Sequence, residues 1–135
     1  MIEWKLHLSC SCDRVYEFLA TAEGREAFWA ESAAERNGRI EFVFPGGSTW
    51  TGRLLRAVPG RTYSVNYFGD SVVVFTLADD GLGGCDLTLT DTADDPETQA
   101  GWVSVLLTLK AAADFGVDLR NHDPARSWET RYADN

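Results

Sequence analysis

Polar and apolar residues alternate strictly from Ile2 to Leu8, with Ile2, Trp4, Leu6 and Leu8 on one face and Glu3, Lys5 and His7 on the other. That period of two predicts a half-buried strand. Ser11 then precedes a segment with Asp13 in its first turn and Val15, Phe18 and Leu19 at helical spacing, which predicts a short capped helix. Thr21 is placed to cap a second short helix, with Glu23 in its first turn and Phe28 and Trp29 at its far end. From Asn37 to Thr92 the pattern changes to short alternating runs separated by Gly, Pro and Asp, which predicts an antiparallel meander. Five strands are expected there: Gly38 to Phe44, Thr49 to Ala57, Thr62 to Phe68, Ser71 to Leu77 and Cys85 to Thr92. Their inward sets are Ile40/Phe42/Phe44, Tyr63/Val65/Tyr67, Val73/Phe75/Leu77 and Leu87/Leu89. The strand at Thr49 has no clear phase, because Trp50 and Leu54 oppose Thr51 and Leu55.

After the meander, Asp95, Pro96 and Glu97 form a helix start: a capping carboxylate, a proline at the first helical position and an acid at the positive end of the dipole. Trp102, Val105, Leu106, Leu109 and Ala113 make its apolar stripe, and Gly116 is its stop. About 20 residues at 1.5 Å each give roughly 30 Å, so this helix must lie along the sheet. The tail, residues 118–135, is polar except for Trp128 and Tyr132, whose spacing puts both rings on one side of a helical turn. They pack either on their own domain or on a second subunit in a homodimer. No repeat or linker divides the 135 residues, so one domain spanning 1–135 is expected.

Composition narrows the classes of partner. Twelve Lys plus Arg against 21 Asp plus Glu leave a formal charge of −9, which argues against nucleic acid and against an anionic membrane surface. The amino-terminal alternation lacks the basic start and apolar run of a signal peptide, and no stretch approaches a membrane span, so a cytoplasmic protein with free thiols is expected. Seven Phe, five Trp and four Tyr are more rings than a small fold needs to close its interior.

Phe42, Tyr63, Tyr67, Phe75, Leu89, Trp102 and Leu106 are therefore candidates to line a ligand cavity, with the tyrosine hydroxyls orienting a polar end of the guest. The alternative is a fully packed core. Asp91 continues the inward phase of Leu87 and Leu89, which makes it a candidate ligand contact and a candidate acid or base; the competing role is a simple turn residue at a strand end. Cys10 and Cys12 form a C-x-C, but with Cys85, His7 and His122 scattered along the chain no metal site is expected, and the thiols are expected to be free. A cofactor is not expected either, since glycine-rich dinucleotide and phosphate loops are absent, as are hydrolase elbows.

Several local motifs occur in a family order. Ser11-Cys12-Asp13-Arg14-Val15-Tyr16-Glu17-Phe18-Leu19, Thr21-Ala22-Glu23-Gly24 with Phe28-Trp29, Val58-Pro59-Gly60-Arg61, and Gly101-Trp102 with Leu109-Lys110 follow one another at consistent spacing. Together they resemble the helix-grip (START-like, SRPBCC) superfamily, and within it the bacterial relatives of the carboxy-terminal domain of the activator of the heat-shock-protein-90 ATPase. Cys12 stands where that family often has Pro, and Tyr67 where it often has Trp. The resemblance covers nearly the whole chain and implies an α+β fold: a curved antiparallel sheet of about six strands gripping a long carboxy-terminal helix, with two short helices after the first strand. It also implies a cavity between sheet and helix that in many members holds an apolar small molecule, and no shared catalytic residue. Three functions are expected in order: binding of a small apolar or amphipathic molecule; a stress-response interaction module touching a chaperone; and a cyclase- or dehydratase-like enzyme with Asp91 as base and Tyr67 as hydrogen-bond donor.

Overall fold

A computed structural model describes all residues, 1–135. Strand β1 (Ile2–Leu8) leads into helices α1 (Cys12–Ala20) and α2 (Ala22–Glu26), each capped as its sequence requires. The Ser11 hydroxyl accepts from the Arg14 amide, and the Thr21 hydroxyl accepts from the Gly24 amide. Strands β2 (Ser32–Arg36), β3 (Arg39–Val43), β4 (Thr49–Val58), β5 (Thr62–Asn66), β6 (Val72–Asp79) and β7 (Cys85–Asp91) follow, and helix α3 (Pro96–Phe115) runs after them. All pairings are antiparallel, in the order β1-β7-β6-β5-β4-β3-β2. The chain is thus an α+β helix-grip protein with a curved sheet.

Three details differ from the sequence expectation. The sheet has seven strands, because Ser32–Arg36 adds β2 beyond β3. The two are joined through Asn37 and Gly38, both at positive φ (+52° and +75°), the backbone that a two-residue hairpin requires. In β4, Leu54 opposes Val65 and Arg56 opposes Ser64, which leaves Leu55 as an extra residue. That bulge breaks the alternation that Trp50 and Leu54 begin, and it adds twist to the sheet. Finally, β5 ends at Asn66 rather than Phe68, since Phe68 takes a positive φ in the turn before β6.

The concave face of the sheet and the stripe of α3 share one core. Ile40, Phe42, Tyr63, Val65, Phe75, Leu87 and Leu89 are buried from the strands, and Trp102, Leu106 and Leu109 from the helix. Asp95 caps α3 through the Thr98 amide, Pro96 takes its first turn, and Gly116 ends it in the left-handed region. Trp4 of β1 donates its indole N–H to the Gln99 carbonyl, fixing the start of α3 against the sheet edge. At the opposite edge Arg25, only 1% exposed, covers β2. Its Nε and Nη2 donate to the Ala33 carbonyl (3.0 and 2.8 Å) and its Nη1 to the Leu19 carbonyl (3.1 Å) and the Tyr63 hydroxyl (3.2 Å). One planar side chain thereby satisfies an orphan carbonyl at the end of α1 and an open sheet edge.

Candidate functional site: an aromatic cleft under the carboxy-terminal tail

A cleft of about 200 Å³ opens between one end of the sheet, the stretch of α3 from Thr98 to Thr108 and the tail. Its floor is Trp29, Tyr67 and Trp102; its sides are Phe28, Phe44 and Phe68. The helix contributes Gly101, Val105 and Thr108, and Trp128 and Glu129 form the roof. Sequence places these groups simply. The turn from β5 to β6 presents Tyr67 inward and Phe68 outward, with the Phe68 ring laid against Trp50 (5.3 Å between centroids) and Phe44 (5.6 Å). The second helix stops at Glu26, short of the Phe28 and Trp29 expected at its far end; Trp29, in the turn that follows, touches Phe28, Phe42, Tyr67, Phe75 and Trp102, with centroids 4.8–5.9 Å apart.

Of the residues expected to line a cavity, Tyr67 and Trp102 reach the cleft. Phe42, Tyr63, Phe75, Leu89 and Leu106 do not; they interdigitate in the core beneath it. Asp91 is also placed differently from a cavity wall. It is fully buried at the end of β7, where one carboxylate oxygen accepts the Trp102 indole N–H (2.8 Å) and the other the Ala93 amide (2.9 Å). Both oxygens are spent on holding Trp102 and the β7–α3 turn. Tyr63 likewise serves the core: its hydroxyl accepts from Arg25, and burial pushes its pKa up to about 12 despite that cation.

Tyr67 carries the buried hydroxyl among the aromatic residues of the cleft. Its hydroxyl accepts from the Trp29 indole N–H at 3.1 Å, and no acceptor in the protein takes its own proton. Burial raises its pKa, and the nearby Asp91 carboxylate works in the same direction. The phenol therefore stays neutral and keeps a free O–H. Arg120, the cation at the rim, is already engaged: it donates to the Ala30 carbonyl (3.0 Å) and the Glu26 carbonyl (2.5 Å) and pairs with Asp118 at 3.0 Å.

The tail closes the cleft as a strap. Trp128 and Tyr132 do not share one helical turn: a single 3₁₀ turn (Trp128–Thr130) ends in Arg131 at φ +76°. Trp128 donates to Glu97 (2.9 Å), Arg131 donates to the same carboxylate (2.7 Å), and Ser104 of α3 donates to the Ala133 carbonyl (2.5 Å). At the other end of the strap His122 lies between Glu31 (2.7 Å) and Asp118 (2.6 Å). Hydrogen bonds to Asp118 first and Glu31 second raise its pKa. A raised folded-state pKa gives stability that is complete below the ordinary histidine value near 6.5 and is lost as pH rises through the folded value. Asp118, held low by Arg120 and His122, contributes nothing to the slope in that window. Urea midpoints are therefore expected to fall between pH 6 and pH 8, and His122→Gln is expected to flatten that slope. Identical slopes in the two proteins would remove His122 from the clasp.

No group of three or more His, Cys, Asp or Glu side chains is arranged to hold a metal ion, and no helix is long and apolar enough to cross a membrane.

No protein-family model matches the chain, and neither does any curated protein. Solved structures do. The protein SSP2350 from Staphylococcus saprophyticus superposes with a TM-score of 0.78 at 19% identity, over 88% of this chain and 95% of that one. The Aha1 dimer from Colwellia psychrerythraea gives 0.75 at 19% identity, over 85% and 96%. DynU16, from the dynemicin biosynthetic locus, gives 0.73 at 15% identity, over 87% of this chain and 48% of its own length. Likeness at these identities is a likeness of fold: the chain shares the helix-grip fold of these structures.

Proposed function

We propose that the protein binds a small, neutral, largely apolar molecule of one or two rings in the cleft, oriented by a hydrogen bond from Tyr67 to a carbonyl or similar acceptor. The Tyr67 hydroxyl carries this reading: a buried donor, held by Trp29 and left with a free proton, belongs to a residue that lines an aromatic cleft. A buried O–H without an acceptor forgoes a hydrogen bond worth about 1 kcal/mol, and a ligand oxygen supplies it. Size follows from volume, since a cavity of about 150 Å³ accommodates benzene. Charge follows from the net −9 and from Glu129 at the rim, both of which disfavour an anionic guest.

The test uses a matched pair of probes, α-tetralone and tetralin, which differ by one carbonyl. Tryptophan fluorescence is expected to report saturable binding of both, because Trp29, Trp102 and Trp128 surround the site. Tyr67→Phe is expected to weaken α-tetralone by about 3- to 10-fold, the value of one neutral hydrogen bond, and to leave tetralin unchanged. Gly101→Phe, which projects a ring from α3 into the cleft, is expected to abolish binding of both. Binding that survives Gly101→Phe, or equal losses of ketone and hydrocarbon in Tyr67→Phe, would refute the assignment.

A further inference from the structure

A second chemical feature lies at the other end of the molecule. Cys85 opens β7 and pairs across the sheet with Leu8, the last residue of β1. From Leu8 the chain passes through Ser9, Cys10 and Ser11 and enters α1 at Cys12. This path brings the Cys12 sulfur to 2.6 Å from the Cys85 sulfur, although 73 residues separate them in sequence. The two thiols meet as a hydrogen-bonded pair, so forming a sulfur–sulfur bond of about 2.05 Å needs only a short closing movement. Cys10, two residues before Cys12, is half-buried and has no sulfur partner. A bridge between Cys10 and Cys12 would be strained by their proximity in the chain.

We propose that Cys12 and Cys85 are a redox-modification site, a dithiol that closes to an intramolecular disulfide with a low-molecular-weight disulfide such as oxidised glutathione as the oxidant. Cys12 is half-buried and takes the first step, whereas Cys85 is fully buried. The Cys12 thiolate attacks one sulfur of glutathione disulfide, forming a mixed disulfide and releasing one glutathione thiolate. The Cys85 sulfur, on losing its proton, attacks the Cys12 sulfur and expels the second glutathione. Two protein thiols are thereby oxidised to one disulfide, and one glutathione disulfide is reduced to two glutathione thiols that take up the two protons. Burial pushes the Cys85 thiol up, so the second step is slow near neutrality and accelerates as pH rises.

The bridge would tie the start of α1 to the edge of β7. The same corner is already fastened to the far end of α3, where Asp114 accepts from the Ser9 amide (3.0 and 3.1 Å) and Lys110 donates to the His7 carbonyl (2.5 Å). The cleft uses α3 between Thr98 and Thr108 instead. Oxidation is therefore expected to stabilise the fold without altering the cleft, and this site stands or falls independently of the ligand reading.

The full chain, folded and equilibrated with reduced and oxidised glutathione across a range of ratios, tests the proposal. Peptide mapping without reduction is expected to find one crosslink joining the Cys12 and Cys85 peptides, lighter by two hydrogens, with Cys10 still open to alkylation. The oxidised protein is expected to melt on the order of 10 °C higher, because the bridge constrains a long loop of the unfolded chain, and to return to the reduced value with dithiothreitol. Cys10→Ser should retain both effects and Cys12→Ser should lose both. A protein that stays reduced or stops at glutathionylated Cys12, or one whose crosslink involves Cys10, would overturn the assignment, whatever the stability of the variants.

Discussion

Replacing Trp29 with alanine is expected to lower the free energy of unfolding by about 4 kcal/mol, within the range for deleting a large ring from a packed core. Trp29 is 4% exposed and meets five other rings. The loss combines transfer of the indole with the void it leaves between Phe42 and Phe75 on the sheet side and Trp102 on the helix side, all three themselves buried. It also removes the only hydrogen bond to the Tyr67 hydroxyl. Against a typical total of 5–15 kcal/mol this is a large share. Urea unfolding monitored by circular dichroism measures it; Trp29→Phe, which keeps a ring, should lose markedly less. A drop below about 1 kcal/mol with an unchanged denaturant slope would mean that the cluster does not hold the sheet and helix together.

Gly24→Ala should cost about 3 kcal/mol, an unusually large effect for one methyl group. A β-carbon at this position would stand 2.4 Å from the Glu17 carbonyl oxygen and 2.5 Å from the Phe18 α-carbon, both backbone atoms of α1. No side chain can swing away, so the two helices must part. Their separation would disturb Arg25, the next residue, whose guanidinium bonds to the end of α1 and to β2. Gly101→Ala makes the internal comparison: its β-carbon meets only Trp128, at 3.9 Å, so helix propensity should dominate and the protein should gain up to about 1 kcal/mol. If both substitutions had the same sign and size, close helix approach at Gly24 would not be the cause.

Much of the fold was legible because its signals are local. The caps at Ser11, Thr21 and Asp95, the Gly116 stop and the alternation of Tyr63/Val65 or Leu87/Leu89 each act within a few residues. Strand β2 escaped because Ser-Ala-Ala-Glu-Arg buries only Ala33 and carries no β-branched or aromatic residue. Its signal lay beside it in Asn37-Gly38, a strong short hairpin cue, whose two residues both adopt positive φ. The bulge at Leu55 was visible only as a phase conflict, since register is set by the partner strand.

The site was legible in composition and not in place. An excess of rings pointed to a cavity, but which rings fill the core and which face open space depends on packing between distant segments. Phe42 and Phe75 are consumed by Trp29, whereas Phe44 and Phe68, at the rim, are not enclosed. Trp128 reaches the cleft because Glu97, 31 residues earlier, accepts its indole N–H. Arg25 gave no cue, since an arginine on a short helix between Glu23 and Glu26 reads as a solvent-facing residue.

The most direct measurement of the ligand reading is a crystal structure of the protein soaked or grown with α-tetralone. Density for the two rings is expected between Trp102, Phe44 and Trp128, with the carbonyl oxygen within hydrogen-bond distance of the Tyr67 hydroxyl. A saturated complex whose ketone lies outside the cleft, or lies inside it with the oxygen turned away from Tyr67, would contradict it.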